Sequence, residues 1–146
     1  MNDKEQIRDV IAHVAQLRDM KQWEHLEHYF SKKLFVDTKE LSGEMPVVMP
    51  RRRLINNWRR EIGAYFYATR HFVRKLAVRM LNSRRAKVTT SVEHIHYVAD
   101  QGERYAWTVR GTIDYILIKT VNGHWKISQM IFRMQDQVLR PIGAAG

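Results

Sequence analysis

Residues Gly111–Ile127 read GTIDYILIKTVNGHWKI, and the way this run is spaced decides the architecture. Up to Lys119 it is the second half of a long strand, RYAWTVRGTIDYILIKT, with Gly111 near the middle where a bulge or bend is natural. Asn122-Gly123 then supplies a dipeptide that readily takes positive φ, a strong hairpin signal. Trp125 opens WKISQMIFRM, which returns beside the first strand and closes a sheet.

Working back from that hairpin, the period of two persists. DQGE (100–103) and NSRR (82–85) are turns. Between them KVTTSVEHIHYV alternates Val88, Thr90, Val92, His94, His96 and Val98 against Thr89, Ser91, Glu93, Ile95 and Tyr97. FVRKLAVRML puts Phe72, Leu76, Val78 and Met80 on one expected face, with Arg74 among them. Further back the period becomes helical. Ile7, Val10, Ile11, Val14 and Leu17 predict a first helix behind Asn2 and Asp3 as caps. Trp23, Leu26 and Phe30 predict a second that begins near Lys21. Leu54, Ile55, Trp58 and Ile62 predict a third that begins at Pro50. KLFVDT is a short strand before it, and KELSGEMP a loop.

The order is three helices, a small strand between the second and third, then four meandering strands. That is an α+β pattern: a strongly bent antiparallel sheet with three N-terminal helices on one face, enclosing a cone-shaped pocket. The 146 residues fit one domain, residues 1–146, with 137–146 expected as a loose tail.

Composition narrows the classes. Hydrophobic residues make up 45% and charged residues 27%, the mix of a soluble globular chain. No apolar run is long enough for a bilayer, and MNDKEQIRDV has no apolar core of a signal peptide. Zero cysteines exclude disulfides and thiol chemistry and fit a cytoplasmic protein. The net charge of +10 is spread over Lys32-Lys33, Arg51-Arg52-Arg53, Arg59-Arg60 and Arg84-Arg85. With no basic tail and no nucleic-acid motif, a solvated basic surface is preferred to nucleic-acid binding, and an anionic substrate is easier to attract.

Three segments resemble the NTF2-like superfamily, and within it the SnoaL-like group. They are LRDMKQWEHLEHYF, TRHFV and the Gly111–Ile127 hairpin, and the resemblance covers roughly Gln6 to Arg133. The resemblance implies the cone-shaped fold. Its function is open, because the superfamily includes ketosteroid isomerases, dehydratases, a dehydrochlorinase, polyketide cyclases, non-catalytic dioxygenase small subunits and transport factors.

In the dehydratase and dehydrochlorinase branch an aspartate after the first helix pairs with a histidine that opens the first long strand. Asp19 and His71 fall on those positions. In that arrangement a neutral imidazole takes a proton from carbon while the carboxylate fixes its tautomer. Taken singly, Asp19 is as readily a cap for the second helix. The resemblance makes Arg133 a substrate anchor and sets His96 near a second catalytic histidine. It also sets Asp37 near the ketosteroid isomerase base. His94 and His96 point the same way from one strand, and an interface or solvent is their preferred setting. Tyr65 and Tyr67 are hydroxyl sources at the exit of the third helix. Trp58, Trp23, Phe72 and Trp107 suggest the wall of a wide apolar pocket, which Met130 and Met134 would make adaptable. One departure is plain: scytalone dehydratase has a tyrosine just before the dyad aspartate, and this chain has Arg18.

The expected function is a cofactor-independent lyase, dehydratase or isomerase acting on a hydrophobic, in some cases anionic, small molecule, with no metal. The competing readings are a non-catalytic assembly subunit and a ligand-binding accessory protein. A homodimer through the outer sheet face is the expected assembly, with a trimer or hetero-oligomer as alternatives.

Overall fold

The structure is a computed structural model that describes residues 1–144. Helix α1 (Asp3–Asp19) leads through short α2 (Trp23–Leu26) and a 3-10 turn (Glu27–Tyr29) into strand β1 (Phe30–Asp37). A single-turn helix α3 (Lys39–Ser42), strand β2 (Val47–Pro50) and helix α4 (Arg51–Ala64) come next. The chain then runs through β3 (Ala68–Asn82), β4 (Arg85–Asp100), β5 (Glu103–Lys119) and β6 (Trp125–Ala144). One curved, unclosed sheet holds all six strands in the order β2-β1-β6-β5-β4-β3. Every pairing is antiparallel except β1 with β6, which is parallel. Among the described residues no helix is long and apolar enough to cross a membrane.

The long strands lie where the sequence places them, but other details differ: α3 falls inside the expected KELSGEMP loop, and β2 is a strand the sequence does not announce. Phe30 does not continue a second helix: it opens β1 and is fully buried. Phe72 does not share a face with Leu76. The β3–β4 register shifts between Val73 and Lys75, so Val73 and Leu76 take the helix side while Phe72 turns outward. There Arg70 and Arg74 stand over its ring at 4.9 and 4.5 Å. Residues 137–144 are no loose tail either, because they extend β6 along β5 as far as the Glu103–Ala144 pair. The rest of that expected tail, 145–146, lies outside the described residues.

At the start of α1 the capping box is Asn2 with Glu5, not Asp3 with Gln6. Asp3 is thereby free for another task. Its Oδ1 accepts from Lys119 Nζ and Trp125 Nε1, both at 3.0 Å, and ties the helix to the closing hairpin. The buried stripe Ile7, Val10, Ile11 and Val14 packs α1 onto the inner face of the sheet, where Leu26, Phe30, Leu34, Leu117 and Ile127 complete a dry core. Helix α4 buries Leu54, Ile55 and Trp58 and turns Arg52, Arg53, Arg59 and Arg60 outward around a shallow hollow. Charges that look dispersed along the chain therefore partly gather on one helix face.

Gly111 is the bend the sequence anticipates. The β5–β6 register jumps between Arg110 and Gly111, and a Cβ on Gly111 would lie 2.1 Å from the Arg133 carbonyl oxygen. Only backbone approaches there, so no side chain can move aside. Gly111→Ala should cost about 2 kcal/mol and lower Tm by roughly 4–8 °C. An unchanged melting curve would show that the two strands do not approach this closely.

Candidate active site

The last turn of α1 delivers two side chains to the sheet. Asp19 ends the helix, and an acid there opposes the macrodipole at a cost of about 0.3–1 kcal/mol. Nor does Asp19 cap α2, whose N-cap is Gln22 with no side-chain cap bond. Its oxygens are taken by β3 instead. Oδ2 accepts the His71 backbone N–H at 2.8 Å; Oδ1 accepts His71 Nδ1–H at 2.6 Å and the Thr69 hydroxyl at 3.2 Å. Thr69 and His71 stand two apart on one face of a strand, which is why a single carboxylate reaches both.

These bonds fix the imidazole. A carboxylate that is already the acceptor for two other donors holds Nδ1 as N–H, so Nε2 carries the lone pair. Burial keeps the His71 ring neutral, well below the usual histidine range, and Arg18 and His96 add to that. Burial also raises the Asp19 carboxyl, an effect opposed by the His71 N–H, the Thr69 hydroxyl and Arg18.

Two more histidines stand beside His71. The His94 ring is 4.4 Å from it, centre to centre and nearly perpendicular, and stacks over Phe132 on its other flank. His96 donates Nδ1–H to the Trp107 carbonyl at 3.1 Å and packs in a three-ring cluster with Phe66 and Trp107. Burial pushes His94 well below its ordinary value and His96 down to about 4, although the Trp107 bond works the other way on His96. Both are buried on the helix side of the sheet, not at an interface or in solvent as the sequence suggested. Among the described residues no three His, Asp or Glu side chains are placed to hold a metal ion.

A cavity of about 20 Å³, enough for one water molecule, opens where these elements meet. His71, His96 and Thr69 form its floor, Trp23, Trp58 and Arg18 one wall, and Glu61, Ile62 and Phe66 the other. It is neither wide nor wholly apolar, in contrast to the expectation from the tryptophans. The second wall exists because α4 gives out early. Ile62 leaves helical geometry, Gly63 sits at φ 98°, and the Gly63 N–H bonds the Phe66 carbonyl at 2.7 Å, so Ile62 and Phe66 fold back over the site.

The remaining sequence candidates separate. Trp58 lines the cavity, buried, with the Arg18 guanidinium 3.7 Å from its ring centre. Tyr65 is 69% exposed and Tyr67 40%, and neither lines the cavity. Arg133 follows Phe132, whose ring meets His94, so strand alternation turns Arg133 to the opposite face. There it pairs with Asp37 at 3.1 Å and Glu40 at 3.6 Å. Asp37 also accepts the Lys39 N–H, and that bond is the main reason its carboxyl lies below the usual range. Asp37 and Arg133 thus clamp α3 to β6, away from His71. Five lining residues were not singled out as binding groups beforehand: Arg18, Glu61, Ile62, Phe66 and Thr69. Arg18 is four residues after Val14 and Glu61 three after Trp58, each a charge on a buried stripe, which is the signal that marks them.

A family model described as a SnoaL-like domain matches residues 1–131. No curated protein matches the chain. Among solved structures, a protein of Kribbella flavida is similar at TM-score 0.84 and 23% identity, covering 93% of this chain and 93% of that one. A provisionally named scytalone dehydratase from Novosphingobium aromaticivorans gives 0.80 at 19% identity, over 98% and 91% of the two chains. A hexachlorocyclohexane dehydrochlorinase from Novosphingobium barchaimii gives 0.74 at 13%, over 95% and 89%. At such identities the likeness is one of fold.

Proposed function

The chain belongs to the SnoaL-like domain family, and from that premise we propose that it is a cofactor-independent lyase or isomerase of the dehydratase type. His71 is the general base and Asp19 its orienting partner. The observation that carries this is the set of three hydrogen bonds into Asp19, which leaves Nε2 as the unprotonated nitrogen of a residue on the cavity floor.

The step is simple in outline. The Nε2 lone pair takes a proton from carbon, and the C–H electrons form a double bond as a leaving group departs with its own pair. When that group is hydroxide, the imidazolium returns the proton to it and water leaves. In an isomerisation the proton returns to a different carbon. The charge on the imidazolium is matched throughout by Asp19. A base held neutral by burial is ready at neutral pH, where an ordinary surface histidine would be partly protonated. Two structural relatives carry names that denote loss of water and of hydrogen chloride, and either reaction suits a single base without a cofactor.

The substrate is small, with an apolar part to lie against Trp23, Trp58 and Phe66. Entry requires widening of the cavity, and the segment from Ile62 to Phe66, hinged at Gly63, is the part built to give. Incubation in D2O with a panel of small cyclic ketones and 3-hydroxy acids, followed by NMR, tests the proposal. Deuterium should enter next to the carbonyl, or water should be lost, at least a hundredfold faster than in buffer. A panel that stays protonated and intact would count against catalysis by this site.

A further inference from the structure

Arg18 is a cavity residue that proton transfer by His71 leaves idle, and its setting is unusual for a cation. It stands on the buried stripe of α1, its guanidinium stacks on Trp58 at 3.7 Å, and it faces the cavity that His71 and His96 floor. Among the described residues its side chain makes no hydrogen bond and no ion pair. The neighbouring carboxylate, Asp19, is already committed to His71 and Thr69. Glu61 lines the same cavity and is the carboxylate whose charge acts most on Arg18, but no hydrogen bond or ion pair joins the two.

A guanidinium carries five N–H donors in a planar fork, and here none of them is committed to a protein acceptor, so an oxygen that enters the cavity finds them available. The stack on Trp58 holds one face of the plane and leaves the edge, where the donors are, for something else. The three buried histidines are neutral and offer an anion no charge. Arg133, which the family resemblance suggested for this task, is on the other side of the sheet and occupied by Asp37 and Glu40.

We propose that Arg18 is the anion receptor of this cavity, and that the substrate is a carbonyl or carboxylate compound whose oxygen rests on its guanidinium while His71 Nε2 removes the proton from the adjacent carbon. This rests on the base reading of His71 and adds the substrate class to it. As the C–H bond breaks, its electron pair forms a carbon–carbon double bond and the carbonyl π pair moves onto oxygen. The proton is then on Nε2 and the negative charge is on the oxygen that Arg18 holds. Return of that pair re-forms the carbonyl and shifts the carbon–carbon π pair to expel a leaving group, with its own electron pair, from the next carbon. Arg18 is a catalytic residue in this scheme, because its donors meet the atom on which charge develops.

Acetate and its neutral isostere acetamide serve as probes, with the ring signals of His71 and His96 followed by NMR so that surface arginines do not contribute. Acetate should shift those signals at concentrations at least tenfold lower than acetamide. Arg18→Met, which keeps the packing on Trp58 without the charge, should erase the preference. Arg18→Lys should restore part of it. Equal responses to acetate and acetamide, or an undiminished preference in folded Arg18→Met, would overturn the proposal. The two readings fail separately. Acetate selectivity with no deuterium exchange in any compound leaves the receptor standing and removes the base. Exchange without acetate selectivity does the reverse.

Discussion

Asp19→Asn should lower the rate of deuterium exchange by about a hundredfold to ten-thousandfold while the protein remains folded. The reason is a conflict of donors. Oδ2 receives the His71 backbone N–H, which cannot change role, so the amide must keep its oxygen there. The amide nitrogen then takes the Oδ1 position and offers N–H to His71 Nδ1. Imidazole answers by moving its own proton to Nε2, and the base is lost with little change of shape. His71→Gln should do at least as much damage, because no basic nitrogen remains. Rates measured beside circular dichroism spectra separate this from unfolding. Asp19→Asn at full activity would show that tautomer control is not what the carboxylate supplies.

Acid should unfold the protein well before its carboxylates are all protonated. His71, His94 and His96 are held neutral by burial in the native state, His96 down to about 4 from an ordinary 6.5. Below 6.5 the unfolded chain gains protons that the native chain refuses. The stability these histidines contribute is therefore complete above pH 6.5 and lost as pH falls toward 4. By pH 4.5 His96 alone should remove about 3 kcal/mol, and the other two add to it. Asp19 works against this in part, since a carboxyl raised by burial binds its proton more readily in the native state. Urea midpoints measured from pH 7.5 to 4.5 should fall steadily. A flat profile would mean the imidazoles are accessible to protons in the native cavity.

Most of the sheet was legible because turn chemistry and alternation speak at short range. Asn122-Gly123 and Gly111 sit where the hairpin and bend are found, and the Val88-to-His96 alternation groups one face of β4, although His94 and His96 were not expected to be buried on it. What stayed hidden depends on partners distant in sequence. The register shift at Arg74 moves Phe72 to the other face, and nothing local announces it. Strand β1 begins at Phe30 because β6 pairs with it there, although the spacing of Trp23, Leu26 and Phe30 suits a helix. In the site, the Asp19–His71 pair was legible through the family resemblance. Arg133 and Asp37 were misplaced because a position on a strand does not reveal which face the strand turns toward the helices. Arg18 was noticed as a departure from a relative, when its place on an apolar stripe already marked it as buried.

The parallel pairing of β1 with β6 bears on the order in which the molecule is put together. Phe30 registers with Ile127 and Val36 with Met130, so the first strand has no place in the sheet until the last has formed. Strand β2 hangs on β1 and must wait as well. The hairpins from β3 to β6 close through short turns and can assemble early, whereas Asp3 reaches its partners Lys119 and Trp125 only across most of the chain. During synthesis the N-terminal helices emerge before any of the long strands they pack against, and β3 is the first of these to follow. High contact order of this kind makes for slow folding, and it leaves the apolar stripe of α1 exposed meanwhile. The Asp19 carboxylate, at the end of that helix, bonds Thr69 and His71 of β3, so this corner of the molecule can be tied down before β6 closes the sheet.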